Sequence, residues 1–457
     1  MSINPSIFRE YDIRGIAGTD LTEENMELMG QAYVAYLKQR KALKTKTVVI
    51  GRDGRVSSKP FSRALIDGIT SMGVNVIDIG EVPTPLTYYA MNILDVDGGI
   101  MITASHNPGE YNGLKVGLGK TTIFGEEIQV FRKIVEKGGF VTVDKPTTIT
   151  RMNIFPKYKA RVLKDIKLKK KLKVVVDGGN GVSGPVAVPI FEALGCEVIP
   201  IYCDVDGRFP NHHPDPTVAK NLVDLIKQVK KHKADLGIGF DGDGDRVGGC
   251  DDKGNVLAGD RLLALFARSI LKVKPGAVVI GEVKCSRSFY EDVKKHGGKA
   301  VMWRTGHSHI KAAMKAQHAE LAGEMSGHIF FKHRWYGFDD ATYSACRLLE
   351  IVAAGKKTLS EHLATIPDRF NTPELQFDCP DNKKFDVVAK ATDYFQNELK
   401  LNVVTIDGAR IEFKDGWGLL RASNTSPKLV VRVEADTEKR MKEIFALIEK
   451  KVKELNG

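Results

Sequence analysis

Short, nearly unbroken apolar runs, each bounded by glycine or acidic residues and followed by a stretch with helical spacing, recur along this chain. Residues 47–51 (TVVIG) read as a buried strand, a Gly/Asp/Arg turn follows, 57–72 carry helical periodicity, and 73–79 (GVNVIDI) read as the next strand. The same grammar returns in 173–177 (KVVVD), a GGNGVSG turn, a helix over 185–194 and a strand over 195–201. It returns again in 277–280 (AVVI), a turn through Ser286, a helix to His296 and a strand over 298–303. Apolar strands alternating with helices predict βαβ units, and starts near Val48, Val174 and Val278 lie roughly a hundred residues apart, too far for a solenoid repeat. Three similar α/β domains are the expectation. From Asn371 the spacing changes to short strands around 403–406, 410–413, 417–421 and 429–434, closed by a charged amphipathic helix over 437–455. The predicted fold is therefore α/β, three similar mixed domains (1–150, 151–253, 254–367) and a smaller C-terminal α+β domain (368–457).

With 457 residues, 42% hydrophobic and 27% charged, the chain has the composition of a folded globular protein rather than a disordered one or a fibre. A formal charge of +11 favours anionic partners. The densest basic run, Lys167 to Lys173, has no aromatic residue, so it reads as solvated surface and no nucleic-acid partner is expected. No apolar stretch approaches the roughly 18 residues of a membrane span, and the start of the chain has no apolar leader. The expectation is a cytoplasmic protein without a membrane partner. Six cysteines (Cys196, Cys203, Cys250, Cys285, Cys346, Cys379) form no CxxC pair, against both a disulfide framework and a zinc site.

Candidate chemistry is concentrated in loops. Ala104-Ser105-His106-Asn107-Pro108 follows an apolar strand, with Lys115 shortly after. A serine on a turn forced by Asn-Pro is held where a reacting group can reach it, and Lys115 can supply a cation or a proton. Read alone, a serine that only stabilises the turn is the simpler account. A hydrolase elbow is disfavoured because the flanking glycines are missing.

Asp241-Gly-Asp243-Gly-Asp245-Arg246 is the strongest local signal. Carboxylates at i, i+2 and i+4, with glycines between them, can converge on one hard cation such as Mg²⁺. A calcium EF-hand fits poorly, since Arg246 stands where glycine is needed and Asp252 where glutamate is needed. Arg421-Ala-Ser423-Asn424-Thr425-Ser-Pro427 offers a guanidinium, hydroxyls and an amide suited to a phosphate dianion, although alone it reads as an ordinary polar turn before Pro427. Glu324-Met325-Ser326-Gly-His328 could hydrogen-bond sugar hydroxyls, although alone it is a generic loop. His307 and His309 would need a further ligand to hold a metal, and His212-His213-Pro214 reads as a rigid loop.

Six motifs in order resemble the bacterial phosphomannomutase/phosphoglucomutase enzymes of the α-D-phosphohexomutase superfamily: Phe8 to Gly15, Thr103 to Pro108, Asp241 to Arg246, Thr305 to Ser308, Gly323 to His328 and Arg421 to Pro427. The resemblance covers nearly the whole chain. It implies four domains around a central cleft and a reversible transfer of phosphoryl between the 1- and 6-positions of mannose and glucose phosphates. Ser105 would be the phosphoserine, with Mg²⁺ held by that phosphate, Asp241, Asp243 and Asp245. Arg421, Ser423, Asn424 and Thr425 would clamp the non-reacting phosphate, and Glu324 and Ser326, with His328, would read the sugar hydroxyls. Tyr11, Arg14, His106, Lys115, Arg246, Lys284 and His307 would complete the cleft, Lys115 and His307 as proton-transfer candidates. Glucose 1,6-bisphosphate or mannose 1,6-bisphosphate would serve as activator and intermediate, and a monomer or weak dimer is implied. Gly109 and Glu81 depart from the usual pattern away from the proposed chemistry. Met325 matches the mannose/glucose group; the alternatives are a phosphoglucosamine mutase, or a non-enzymatic sugar-phosphate-binding protein.

Overall fold

A computed structural model of the chain describes residues 3–144, 146–423 and 426–456. Its first three sheets share one topology. Thr47–Arg52 lies between parallel neighbours Asn75–Glu81 and Gly99–Ile102, and Gly99–Ile102 pairs antiparallel with Tyr111–Leu118. Lys173–Asp177 lies in the same way between Glu197–Ile201 and Leu236–Phe240, with Val247–Asp251 antiparallel. Val278–Glu282 repeats it between Lys299–Trp303 and Leu321–Gly323, with Ile329–Phe331 antiparallel. The first sheet adds Ile13–Ile16 and Ile149–Arg151 at its edges.

Central parallel strands are covered on both faces, so residues such as Val48, Val49 and Ile50 are fully buried, as their continuous apolar run requires. One apolar cluster runs through all three repeats, from Val49 and Tyr158 through Val174 and Phe191 to Leu263 and Phe331. The sequence places the second strand of each repeat one or two residues early. Gly73 (φ 77°), Gly195 (φ 93°) and Gly297 (φ 80°) are left-handed turns that end the preceding helix, and pairing starts after them.

The fourth sheet is antiparallel, ordered Phe370–Asn371, Lys428–Ala435, Gly416–Ala422, Ala409–Phe413, Asn402–Val404, with Leu375–Asp378 also on Lys428–Ala435. Helices Lys384–Asp393 and Glu438–Asn456 bury Val387, Ala391, Ile444 and Ile448 against it. It joins the third repeat through Trp417, Leu419 and Val283, and through Arg410, whose guanidinium donates to the Val283 and Cys285 carbonyls. No helix among the described residues is long and apolar enough to cross a membrane. The six cysteines are free thiols, five of them buried.

Asp340 pins the second repeat to the third. Its carboxylate accepts from Tyr158 Oη at 2.8 and 2.9 Å and from Trp335 Nε1 at 3.2 Å. Burial pushes this carboxyl up to about 7, against the pull of those donors. A carboxyl raised in the folded state binds its proton more tightly there than in the unfolded chain. Stability should therefore fall as pH rises from the ordinary carboxylate range to about 7, then level off. Asp340→Asn removes that decline, so its denaturant midpoint should gain on the parent's between about pH 5 and about pH 7.5. An unchanged difference at the two pH values would refute this.

Candidate active site

Each repeat delivers its chemistry on the same connection, the turn from the third strand to the antiparallel fourth. Residues 103–110 in the first carry Ser105, 241–246 in the second carry the three aspartates, and 324–328 in the third carry Glu324, Ser326 and His328. With 421–423 of the fourth sheet they surround one cleft of about 1170 Å³. Tyr11, Arg14, Ser105, His106, Lys115, Arg246, Lys284, His307, Glu324, Ser326, His328, Arg421 and Ser423 line it. Asn424 and Thr425 lie outside the described residues.

Ser105 has φ 55°, a left-handed conformation uncommon for a residue with a side chain. Arg55 holds it there. All five N–H donors of this guanidinium are used: Nε donates to Asp53, Nη2 to the carbonyls of Ser105 and Asn107, and Nη1 to those of Pro108 and Tyr111. Asp53 is fixed in turn by the Arg55 amide and by Ser58 Oγ. Neither Asp53 nor Arg55 is a candidate from sequence; an Asp-x-Arg turn closing a buried strand was the available signal.

Ser105 Oγ lies 3.0 Å from Asp241 Oδ2 and 3.1 Å from His106 Nδ1. Asp241, Asp243 and Asp245 are fully buried, each offering an oxygen within 4.8 Å of the others. Lys115 Nζ donates to Asp243, at 2.7 Å, and to Asp245. Burial pushes the Asp241 carboxyl well up, reinforced by Asp245 and Asp243. Burial alone would raise Asp245 too, but Lys115 and His328 hold it well below the usual range. Asp243 Oδ1 is buried without a hydrogen-bond partner. Three carboxylates close together, with Asp243 Oδ1 left without a hydrogen-bond partner, fit a small divalent cation.

Of the three cleft histidines, His307 and His328 differ in charge. Burial, with Lys311 and Lys115 nearby, pushes His307 well below its ordinary value, so it is neutral; its Nδ1 lies 3.5 Å from Asp339 Oδ2. Burial would lower His328 as well, but Asp245 (3.2 Å) and Glu324 (2.9 Å) at its two nitrogens raise it to about 9. Glu324 also accepts from the Gly306 amide at 2.5 Å, and Ser326 Oγ lies 3.0 Å from His328 Nδ1. Tyr11 donates to the Thr305 carbonyl and packs edge-on to His307.

The remaining cations ring the cleft. Arg14 pairs with Asp12 and donates to Asn107, and Arg246 Nε is 4.0 Å from Asp241. Lys284 is 2.7 Å from Glu374 and 3.4 Å from Glu282, and Arg421 is held by Asp407 at 3.0 Å. The Asp407 carboxylate also accepts from the Thr305 amide, which couples the third and fourth domains beside the cleft.

Family models described as phosphoglucomutase/phosphomannomutase alpha/beta/alpha domains I, II and III match residues 5–141, 156–254 and 258–370, and one for the C-terminal domain matches 374–451. A phosphomannomutase/phosphoglucomutase of Pseudomonas putida is 47% identical over 446 residues, 96% of this chain and 94% of that protein. A phosphoglucomutase of Neisseria meningitidis is 46% identical over 438 residues, 96% of this chain and 94% of that protein. The crystal structure of a phosphoglucomutase/phosphomannomutase family protein from Burkholderia thailandensis superimposes with a TM-score of 0.92 at 42% identity, covering 99% of this chain and 98% of that one. Four consecutive domain matches, near-full-length identity and one shared architecture place this chain in the phosphoglucomutase/phosphomannomutase family.

Proposed function

We propose that the protein is a phosphohexomutase that moves a phosphoryl group reversibly between the 1- and 6-positions of glucose and mannose phosphates, through phosphorylated Ser105 and a bound hexose 1,6-bisphosphate. The observation that carries this reading is the placement of Ser105 Oγ, in a strained turn at the cleft, 3.0 Å from a buried carboxylate triad. A binding protein would have no use for such an arrangement.

In the forward half-reaction the bond from phosphorus to Ser105 Oγ breaks and a bond to the sugar O6 forms; the freed Ser105 Oγ regains a proton, and the O6 proton leaves to a base. His307, buried and neutral, is suited to take it. Lys115 stays charged because Asp243 and Asp245 hold it so against the cost of burial, and it offsets negative charge on the moving group. The bisphosphate then turns around, and its 1-phosphoryl group returns to Ser105 Oγ. Asp241, Asp243 and Asp245 with the seryl phosphate would hold Mg²⁺, which when bound neutralises charge on the transferring phosphoryl. Arg421, Ser423, Asn424 and Thr425 grip the phosphate that does not react, Lys284 and Arg246 add positive charge, and Glu324 and Ser326 orient the sugar hydroxyls. Tyr11, Arg14 and His106 close the wall around the reacting group.

The test is an assay of the purified protein with Mg²⁺ and a trace of glucose 1,6-bisphosphate, offering mannose 1-phosphate, glucose 1-phosphate and glucosamine 1-phosphate separately and in competition. Comparable use of the first two and poor use of the third is expected. Preference for glucosamine 1-phosphate would overturn the assigned specificity, and no turnover of any would overturn the mutase reading. Removing divalent metal with EDTA should lower turnover by about 10²-fold or more, and added Mg²⁺ should restore it. Full activity after exhaustive chelation would refute the metal assignment.

A further inference from the structure

Helix Lys384–Asp393 starts with a lysine in its first turn, where the partial positive charge of the helix end disfavours a cation. That lysine is also almost wholly buried, at 4% exposure. Burying an ammonium against the helix field is costly unless specific acceptors require it. Its acceptors are the backbone carbonyls of Ser423 (2.5 Å) and Ser426 (3.0 Å), with Asp381 Oδ1 at 2.6 Å as counter-ion. Two neighbouring carbonyls are also satisfied within the fourth domain: Pro427 O accepts from the Cys379 amide, and Lys428 O from the Ser423 amide.

An anion site needs amides and hydroxyls facing the ligand, because carbonyl oxygens repel a phosphate dianion. We propose that Lys384 is a positioning residue for sugar-phosphate binding: its ammonium takes up the Ser423 and Ser426 carbonyls, withdrawing them from the ligand, and so fixes the strand end that bears Arg421 and Ser423 at the cleft. This rests on the reading of the 421–427 loop as the grip on the non-reacting phosphate. Lys384 touches no substrate. It acts through the loop, so its loss weakens binding more than it slows the transfer step.

The test uses the full-length protein, with glucose 1-phosphate binding measured calorimetrically in a Ser105→Ala background that cannot turn over. Adding Lys384→Met should weaken binding about tenfold, and Lys384→Arg should recover most of that loss. With Ser105 intact, Lys384→Met should raise KM about tenfold while kcat falls less than about threefold. Asp381→Asn, at an exposed position, loosens the ammonium without emptying its place and should weaken binding about threefold; it decides the question if Lys384→Met does not fold. Unchanged affinity in both Lys384→Met and Asp381→Asn, with Arg421→Ala still weakening binding, would overturn the role of Lys384 alone. Unchanged affinity in Arg421→Ala as well would overturn the reading of the loop, and an inactive parent protein would overturn the mutase reading while leaving the binding comparison valid.

Discussion

Ser105→Ala is expected to reduce mutase turnover by at least about 10³-fold while leaving the protein folded. In the proposed mechanism the deleted Oγ gives and receives the phosphoryl group, and it lies 3.0 Å from Asp241 on a left-handed turn at the cleft. The lost contacts are the hydrogen bonds of Oγ to Asp241 and His106, each worth about 1 kcal/mol, so thermal unfolding should shift by only a few degrees. Intact-protein mass provides a second check: a phosphate adduct on the parent should be missing from the variant. Turnover within about tenfold of the parent would remove Ser105 from the reaction.

Arg55→Met should cost about 3–5 kcal/mol of stability and lower turnover by about 10²-fold. The guanidinium has no exposed surface, and its removal strands the Asp53 carboxylate and four loop carbonyls in the interior. With those carbonyls released, Ser105 has little reason to keep φ near 55°. Arg55→Lys preserves the charge but supplies three donors where five are used, so it should fall between parent and methionine variant. Denaturant midpoints and kcat measured together check this. A methionine variant with the parent's midpoint and rate would show that the loop holds its own shape.

The three repeats were legible because a strand buried on both faces must be apolar throughout, and that run recurs at 48–50, 174–176 and 278–280. The aspartate turn was legible because a metal needs its donors close together, and here they are close in sequence too. The supporting contacts were not. Arg55 acts on carbonyls 50 to 56 residues away, and carbonyls carry no side-chain signature. The short strands Phe370–Asn371 and Leu375–Asp378 are partly exposed and lack an apolar run, so they are absent from the sequence-based expectation, as is helix Lys384–Asp393 with its unfavourable first turn. His307 looked like half of a histidine pair with His309, whereas Asp339 and His328 are its neighbours, supplied by the next hairpin.

The Arg55 clamp has a consequence for how the protein is made. Every hydrogen-bond partner of the Arg55 guanidinium, from Asp53 to Tyr111, belongs to the first repeat, whereas Asp241 follows 136 positions after Ser105. At 5–20 residues per second, a ribosome takes roughly 7 to 27 s to cover that distance. During that interval the nascent chain can fold its serine turn into final form with no carboxylates beside it. The turn can thus take shape before the three aspartates arrive with the second repeat, so that in the proposed mechanism its reactivity waits on the docking of that repeat.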